Sequence, residues 1–143
     1  MLFRSGADGH DFEPIVDELE LPPRPIRFIF PHAPRRPVTI NGGMMMRAWY
    51  DISDQAIRRE DAKGVTASRG HVEALIARER ARGVEPSRIV IAGFSQGGAI
   101  SLYAGLRHER RLAGIMALSC YLPLADTLAA EGTLANRDVP LLM

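Results

Sequence analysis

The run Ile89-Val90-Ile91-Ala92-Gly93-Phe94-Ser95-Gln96-Gly97-Gly98-Ala99 decides the fold of this chain. Ile89 to Ala92 is apolar and largely β-branched without alternation, the pattern of a strand covered on both faces in a parallel sheet. Gly97 to about Arg107 then reads as a helix of small residues, so Ser95 stands where a strand turns into a helix. A Gly-x-Ser-x-Gly string alone is a weak signal, but this context is the one a nucleophile elbow needs. The turn is so tight that its serine is held in a strained backbone region, and Gly93 and Gly97 avoid Cβ collisions between strand and helix. The hydroxyl then projects from the carboxyl end of the sheet, where α/β folds bind ligands. The backbone N–H of Gln96, at the positive end of the helix, points to where a tetrahedral oxyanion would form.

Working outward, Val72, Leu75 and Ile76 continue a helix predicted to start near Val65 or Ser68. Arg78, Arg80 and Arg82 suit its negative end, and Gly83 is its left-handed stop. Ile115 to Leu118 reads as another buried strand, and Val139 to Met143 as the opening of a last one. Phe12, Ile15, Val16 and Leu19 share a helical face behind the turn and cap residues Asp8, Gly9 and His10, with Pro14 in the first turn. Pro22, Pro23 and Pro25 end that helix, and Ile26 to Phe30 is expected to be a buried strand closed by Pro31. From His32 to about Asp61 the periodicity is lost, which predicts a long loop. Strands alternating with helices mean an α/β architecture with a parallel sheet.

At 143 residues the chain is one domain's worth, and its 46% hydrophobic and 24% charged residues are those of a globular protein, which excludes disorder and fibres. A net charge of +1 offers no field for nucleic acid. No stretch reaches the roughly 18 apolar residues of a membrane span, and no leader pattern opens the chain, so a cytoplasmic location without stable membrane anchoring is expected. Cys120 is the only cysteine, read as a small buried hydrophobe. Histidines lack metal-ligand spacing and no phosphate-cradling loop is present, so neither metal nor cofactor is implied. His108 is expected near the far end of the elbow helix, more than about 15 Å from Ser95 at roughly 1.5 Å per residue. Its neighbours Arg107, Glu109, Arg110 and Arg111 predict a solvated helix end. His10 and His32 read as turn or cap residues and His71 as exposed.

The pieces Gly6-Ala7-Asp8-Gly9-His10-Asp11-Phe12, Phe30-Pro31-His32-Ala33-Pro34, Pro37 to Gly43, Arg47-Ala48-Trp49-Tyr50-Asp51, Gly93 to Gly98 and Leu118-Ser119-Cys120-Tyr121-Leu122-Pro123 follow one another in a familiar order. In them the chain resembles the bacterial carboxylesterase and phospholipase family that includes the acyl-protein thioesterases, within the α/β-hydrolase fold. The resemblance implies a serine ester or thioester hydrolase acting through an acyl-enzyme on Ser95, with Gln96 giving one oxyanion N–H. It implies Trp49, with neighbouring loop residues, as the wall of the acyl pocket; Met46, in a Met cluster that suits either an acyl-binding wall or plain packing, and Phe94, Tyr121 and Leu122 are the further candidate substrate-binding residues. The implied partner is a small-molecule ester or thioester, and a homodimer is left open.

The departures are as informative. The family has a strand ending in His-Gly-Leu-Gly where Phe3-Arg4-Ser5-Gly6 stands here, so Ser5 takes the place of the second oxyanion N–H donor, and residues 1–5 are open to reading as foreign sequence. The family's catalytic Asp follows the strand that begins at Val139 and its His comes later, both past Met143. The expectation is therefore a single incomplete α/β-hydrolase domain over residues 1–143, its mostly parallel sheet lacking the strand before Gly6 and the C-terminal part, and inactive alone. The rival reading is a non-catalytic acyl-binding module or a gene fragment without function. A peptidase or lactone hydrolase would share the elbow, but the Pro37 to Gly43 and Arg47 to Asp51 strings favour the esterases.

Overall fold

The structure, a computed structural model, describes residues 8–54 and 60–143. Its centre is a parallel three-stranded sheet of β3 (Val90–Phe94), β4 (Gly114–Leu118) and β5 (Leu141–Leu142), in the order β3-β4-β5. β3 and β4 run in register from Val90 opposite Gly114 to Phe94 opposite Leu118, and β5 extends β4 at Ile115 and Met116. The crossover from β3 to β4 is α3 (Gln96–Arg107), buried along nearly its whole length. Ile91 and Ile115 from the sheet meet Ile100 and Tyr103 from α3 in one apolar cluster.

The long helix α2 (Ala62–Ala81) packs on α3 with Val65, Ser68, Val72, Ile76 and Glu79, a three-and-four spacing that makes one face. Asp61 caps its start by accepting the Gly64 N–H at 2.9 Å. Gly83, at φ +91°, supplies the expected left-handed stop.

Three expectations are corrected. The amino-terminal helix is a 3₁₀ turn (Gly9–Phe12) followed by the single-turn α1 (Ile15–Glu18). The Asp8 cap forms, but Pro14 falls at the start of α1 and Leu19 remains exposed, so no buried face sustains a longer helix. Ile26 to Phe30 belongs to no strand, and Ile26 and Phe28 are exposed: among the described residues no neighbouring strand pairs with it. The stretch from His32 to Asp61 is not all loop, because β1 (Arg35–Val38) and β2 (Met44–Arg47) form an antiparallel hairpin. Its turn runs through Asn41, Gly42 and Gly43, both glycines at positive φ, and Asn-Gly between short strands is the signal that marks it.

The end of α3 is also unlike its expectation. Arg107 and His108 are buried, at 1% and 3% exposure, although Glu109, Arg110 and Arg111 are exposed. The segment from Leu124 to Asn136, which includes α4 (Leu128–Glu131), folds over this helix end. The Arg107 guanidinium lies 3.9 Å from the Tyr103 ring centre and donates to Glu131 and Thr127, each at 2.8 Å, and to the Leu124 carbonyl at 3.2 Å. With a further bond from Nη1 to the Tyr103 carbonyl at 3.4 Å, four of its five N–H donors are paired, which makes a buried guanidinium tolerable. His108 Nδ1 lies 2.6 Å from Glu73 of α2. Fully buried Asn136 donates to the carbonyls of His108 and Arg110 at 2.9 and 2.8 Å and accepts from the Leu112 N–H at 2.9 Å. It pairs backbone groups that no helix or strand satisfies.

Candidate active site

Ser95 takes φ +54° and ψ −121° between β3 and α3, a conformation a non-glycine residue adopts only when its surroundings enforce it. Two bonds enforce it here. The Ser95 N–H donates to the Leu118 carbonyl at 2.8 Å, carrying the β3–β4 ladder past the strand end, and its carbonyl accepts the Ala99 N–H at 3.0 Å as the first bond of α3. A Cβ on Gly93 would lie 2.2 Å from the carbonyl group of Gly97, so only glycine lets strand and helix approach this closely. The Ser95 hydroxyl does not cap α3.

Ser95 and Gln96 line a cavity of about 200 Å³ together with Tyr121, Tyr50, Ser119 and Cys120. Asp51, Glu60 and Asp61 also line it, with Ile52 and Val65. The Gln96 N–H lies in the first turn of α3, where such groups have no partner within the helix. Of the other expected substrate-binding residues, Trp49 is buried in the core behind the cavity, and Met46, Phe94 and Leu122 are not among its lining residues. Met46 is held within the hairpin, its sulfur 3.1 Å from Asn41 Nδ2. Ser5 lies outside the described residues.

Burial and a hydrogen bond with Tyr121 push the Tyr50 hydroxyl well above its ordinary range, and burial pushes the Cys120 thiol up, so both stay neutral beside the serine. Asp51 is different. Burial alone would raise its carboxyl, but hydrogen bonds from the Thr39 hydroxyl and N–H, with the Arg36 charge, hold it below the ordinary value. It stays an anion.

All of the chain's histidines are described, and none lines the cavity. His32 Nδ1 accepts the Gly9 N–H at 3.0 Å, and the His32 and His10 ring centres are 5.3 Å apart, in the turn role expected of both. His71 is exposed on α2 with its ring 6.3 Å from that of Trp49. Among the described residues no cluster of three or more His, Cys, Asp or Glu is arranged to hold a metal ion, and no helix is long and apolar enough to cross a membrane.

Residues 5–143 match the family described as phospholipase/carboxylesterase. The chain belongs to this family. It is 48% identical over 119 residues to acyl-protein thioesterase 1 of Schizosaccharomyces pombe, covering 82% of this chain and 53% of that protein. It is 44% identical over 126 residues to acyl-protein thioesterase 1 of Gibberella zeae, covering 82% and 54%. The phospholipase/carboxylesterase chain thus spans about half the length of these relatives. Among solved structures it superposes on Arabidopsis thaliana SOBER1 with a TM-score of 0.91 at 30% identity, over 98% of this chain and 69% of that one. On Zea mays acyl-protein thioesterase 2 the TM-score is 0.76, also at 30% identity, over 91% and 59%. The fold is the α/β-hydrolase fold in part, as the family resemblance implied.

Sequence reasoning missed the carboxylates that line the cavity and the glutamine side chain. Asp51, Glu60 and Asp61 lie far from Ser95 in sequence. Asp61 carried one local signal, a capping residue ahead of an apolar-periodic helix.

Proposed function

We propose that the chain carries the nucleophile and one oxyanion donor of a serine hydrolase acting on small-molecule carboxylic esters or thioesters. The observation that supports this best is Ser95 itself, a strained serine at a strand-to-helix turn, opening into a cavity beside a free-ended helix N-terminus. Ser95 Oγ attacks the acyl carbon as its proton passes to a base. The carbonyl becomes an oxyanion facing the Gln96 N–H, and the alcohol or thiol leaves with the proton. Water then attacks the acyl-serine, regenerating the hydroxyl and releasing the acid. Because no histidine lines the cavity, we place the base, with the acid that orients it, outside residues 1–143, in keeping with the family's order of serine, then Asp, then His.

The reading is tested by offering p-nitrophenyl butyrate and a butyryl thioester to the 143-residue chain and to the same chain continued to the length of its thioesterase relatives. The continued protein is expected to turn over at least one of them, and the 143-residue chain to show at most trace turnover. Robust turnover by the short chain would place the base among its own histidines. Substrate binding without turnover in both proteins would favour a non-catalytic acyl-binding module.

A further inference from the structure

The segment Trp49–Asp51 brings Tyr50 and Asp51 into the wall of the site yet belongs to no helix or strand, so its backbone groups must find partners elsewhere. Side chains supply them. Gln96 Oε1 accepts the Trp49 N–H at 2.7 Å, and Gln96 Nε2 donates to the Tyr50 carbonyl at 2.7 Å. The Trp49 carbonyl accepts from the Ser68 hydroxyl and, at 3.4 Å, from Arg36, while the Asp51 N–H donates to Asp61 at 2.8 Å. A carboxamide presents an acceptor and a donor side by side, and here they take the Trp49 N–H and the Tyr50 C=O. The orientation of the amide is fixed, since the Trp49 N–H can only donate and the Tyr50 carbonyl only accept. Gln96 is 3% exposed, so neither bond is shared with bulk water.

We propose that the Gln96 side chain is a positioning residue that locks the Trp49–Asp51 wall to the elbow and so sets how an acyl chain fits beside Ser95. The inference rests on Ser95 being the acyl acceptor. One residue then serves two parts of the pocket, its N–H facing the oxyanion and its carboxamide holding the segment that carries Tyr50 and Asp51. A wall released from the carboxamide moves relative to Ser95, and the longer the acyl chain, the more of that wall it touches. Short esters, which touch little of it, are affected less.

Trp49 is the chain's single tryptophan and reports on the wall directly. In the 143-residue chain, Gln96→Leu is expected to shift Trp49 emission to the red and to speed exchange of the Trp49 amide by about tenfold or more. With imidazole added as a diffusible base, acylation of Ser95 by p-nitrophenyl octanoate should fall about tenfold relative to acylation by the acetate. Gln96→Glu is the conservative rescue. As a protonated acid it restores both bonds, so its Trp49 signal should approach that of the unsubstituted chain at acid pH and depart from it as the carboxyl ionises. His71 beside the indole and Asp51, Glu60 and Asp61 around the cavity are common to both proteins, so the difference between the two is the readout. An unchanged Trp49 amide in Gln96→Leu, or a shifted amide with an unchanged octanoate-to-acetate ratio, would overturn the positioning role and leave the Ser95 assignment standing. A Ser95 that imidazole cannot make reactive in the unsubstituted chain would overturn the functional reading, and this inference with it.

Discussion

Ser95→Ala is expected to lower kcat for p-nitrophenyl esters by roughly 10⁴- to 10⁶-fold in a protein that holds the complete catalytic set, with little change in stability. The loss is large because nucleophile and base act as a unit: without the hydroxyl no acyl-enzyme forms, and only binding and the oxyanion donor remain. Stability should hold for three local reasons. Alanine keeps the Cβ, so the strain at φ +54° is unchanged; the hydroxyl does not cap α3; and the two bonds that enforce the turn are made by the Ser95 backbone. Steady-state rates together with the midpoint of chemical unfolding check both halves. Activity equal to the unsubstituted protein would remove Ser95 from the mechanism.

Gly93→Ala is expected to behave in the opposite way, damaging fold and site together. The added Cβ would stand 2.2 Å from Gly97 C and O and 2.4 Å from Gly98 N, all backbone atoms of the first turn of α3. No side-chain rotation relieves that contact. α3 must move away from β3, which opens the core between them and costs about 3 kcal/mol or more. The same movement displaces the Gln96 N–H from the serine, and a displacement on the order of 1 Å at a reacting centre is worth about a hundredfold in rate. Gly70→Ala is the control. An added Cβ at that exposed position on α2 meets nothing within 4 Å, so helix propensity should make it neutral or stabilising by about 0.5 kcal/mol. The unfolding midpoint should therefore fall for Gly93→Ala and hold or rise for Gly70→Ala, and a Gly93→Ala protein as stable as its parent would show that the elbow is not tightly packed.

The parts of the fold legible in the sequence are those whose signals are local. An unalternating apolar run, a Gly-x-Ser-x-Gly turn and a helix of small residues lie consecutively from Ile89 to Arg107, and together they place β3, Ser95 and α3. β4 and the body of α2 are legible for the same reason. The hairpin of β1 and β2 was hidden because its strands are short and Pro37 interrupts the first. Ile26 to Phe30 has the composition of a strand, but composition cannot supply the neighbour that makes a strand pair. Arg107 and His108 carry the residue types of a solvated helix end, and the return of Leu124 to Asn136 over α3, with α2 packed beside it, buries them. In the site, Ser95 and the Gln96 N–H follow from the turn alone. The Gln96 side chain does not, because its partners Trp49 and Tyr50 are 47 and 46 residues away and are brought there by α2 and the hairpin.

The central claim, that the elbow presents Ser95 as an acyl acceptor, is tested most directly by labelling the 143-residue chain with a fluorophosphonate and locating the label by peptide mass spectrometry, with and without imidazole. With no histidine lining the cavity, little labelling is expected from the chain alone. Imidazole should raise labelling on the peptide containing Ser95, and Ser95→Ala should abolish it. Label spread over other serines, or retained in full by Ser95→Ala, would contradict the account.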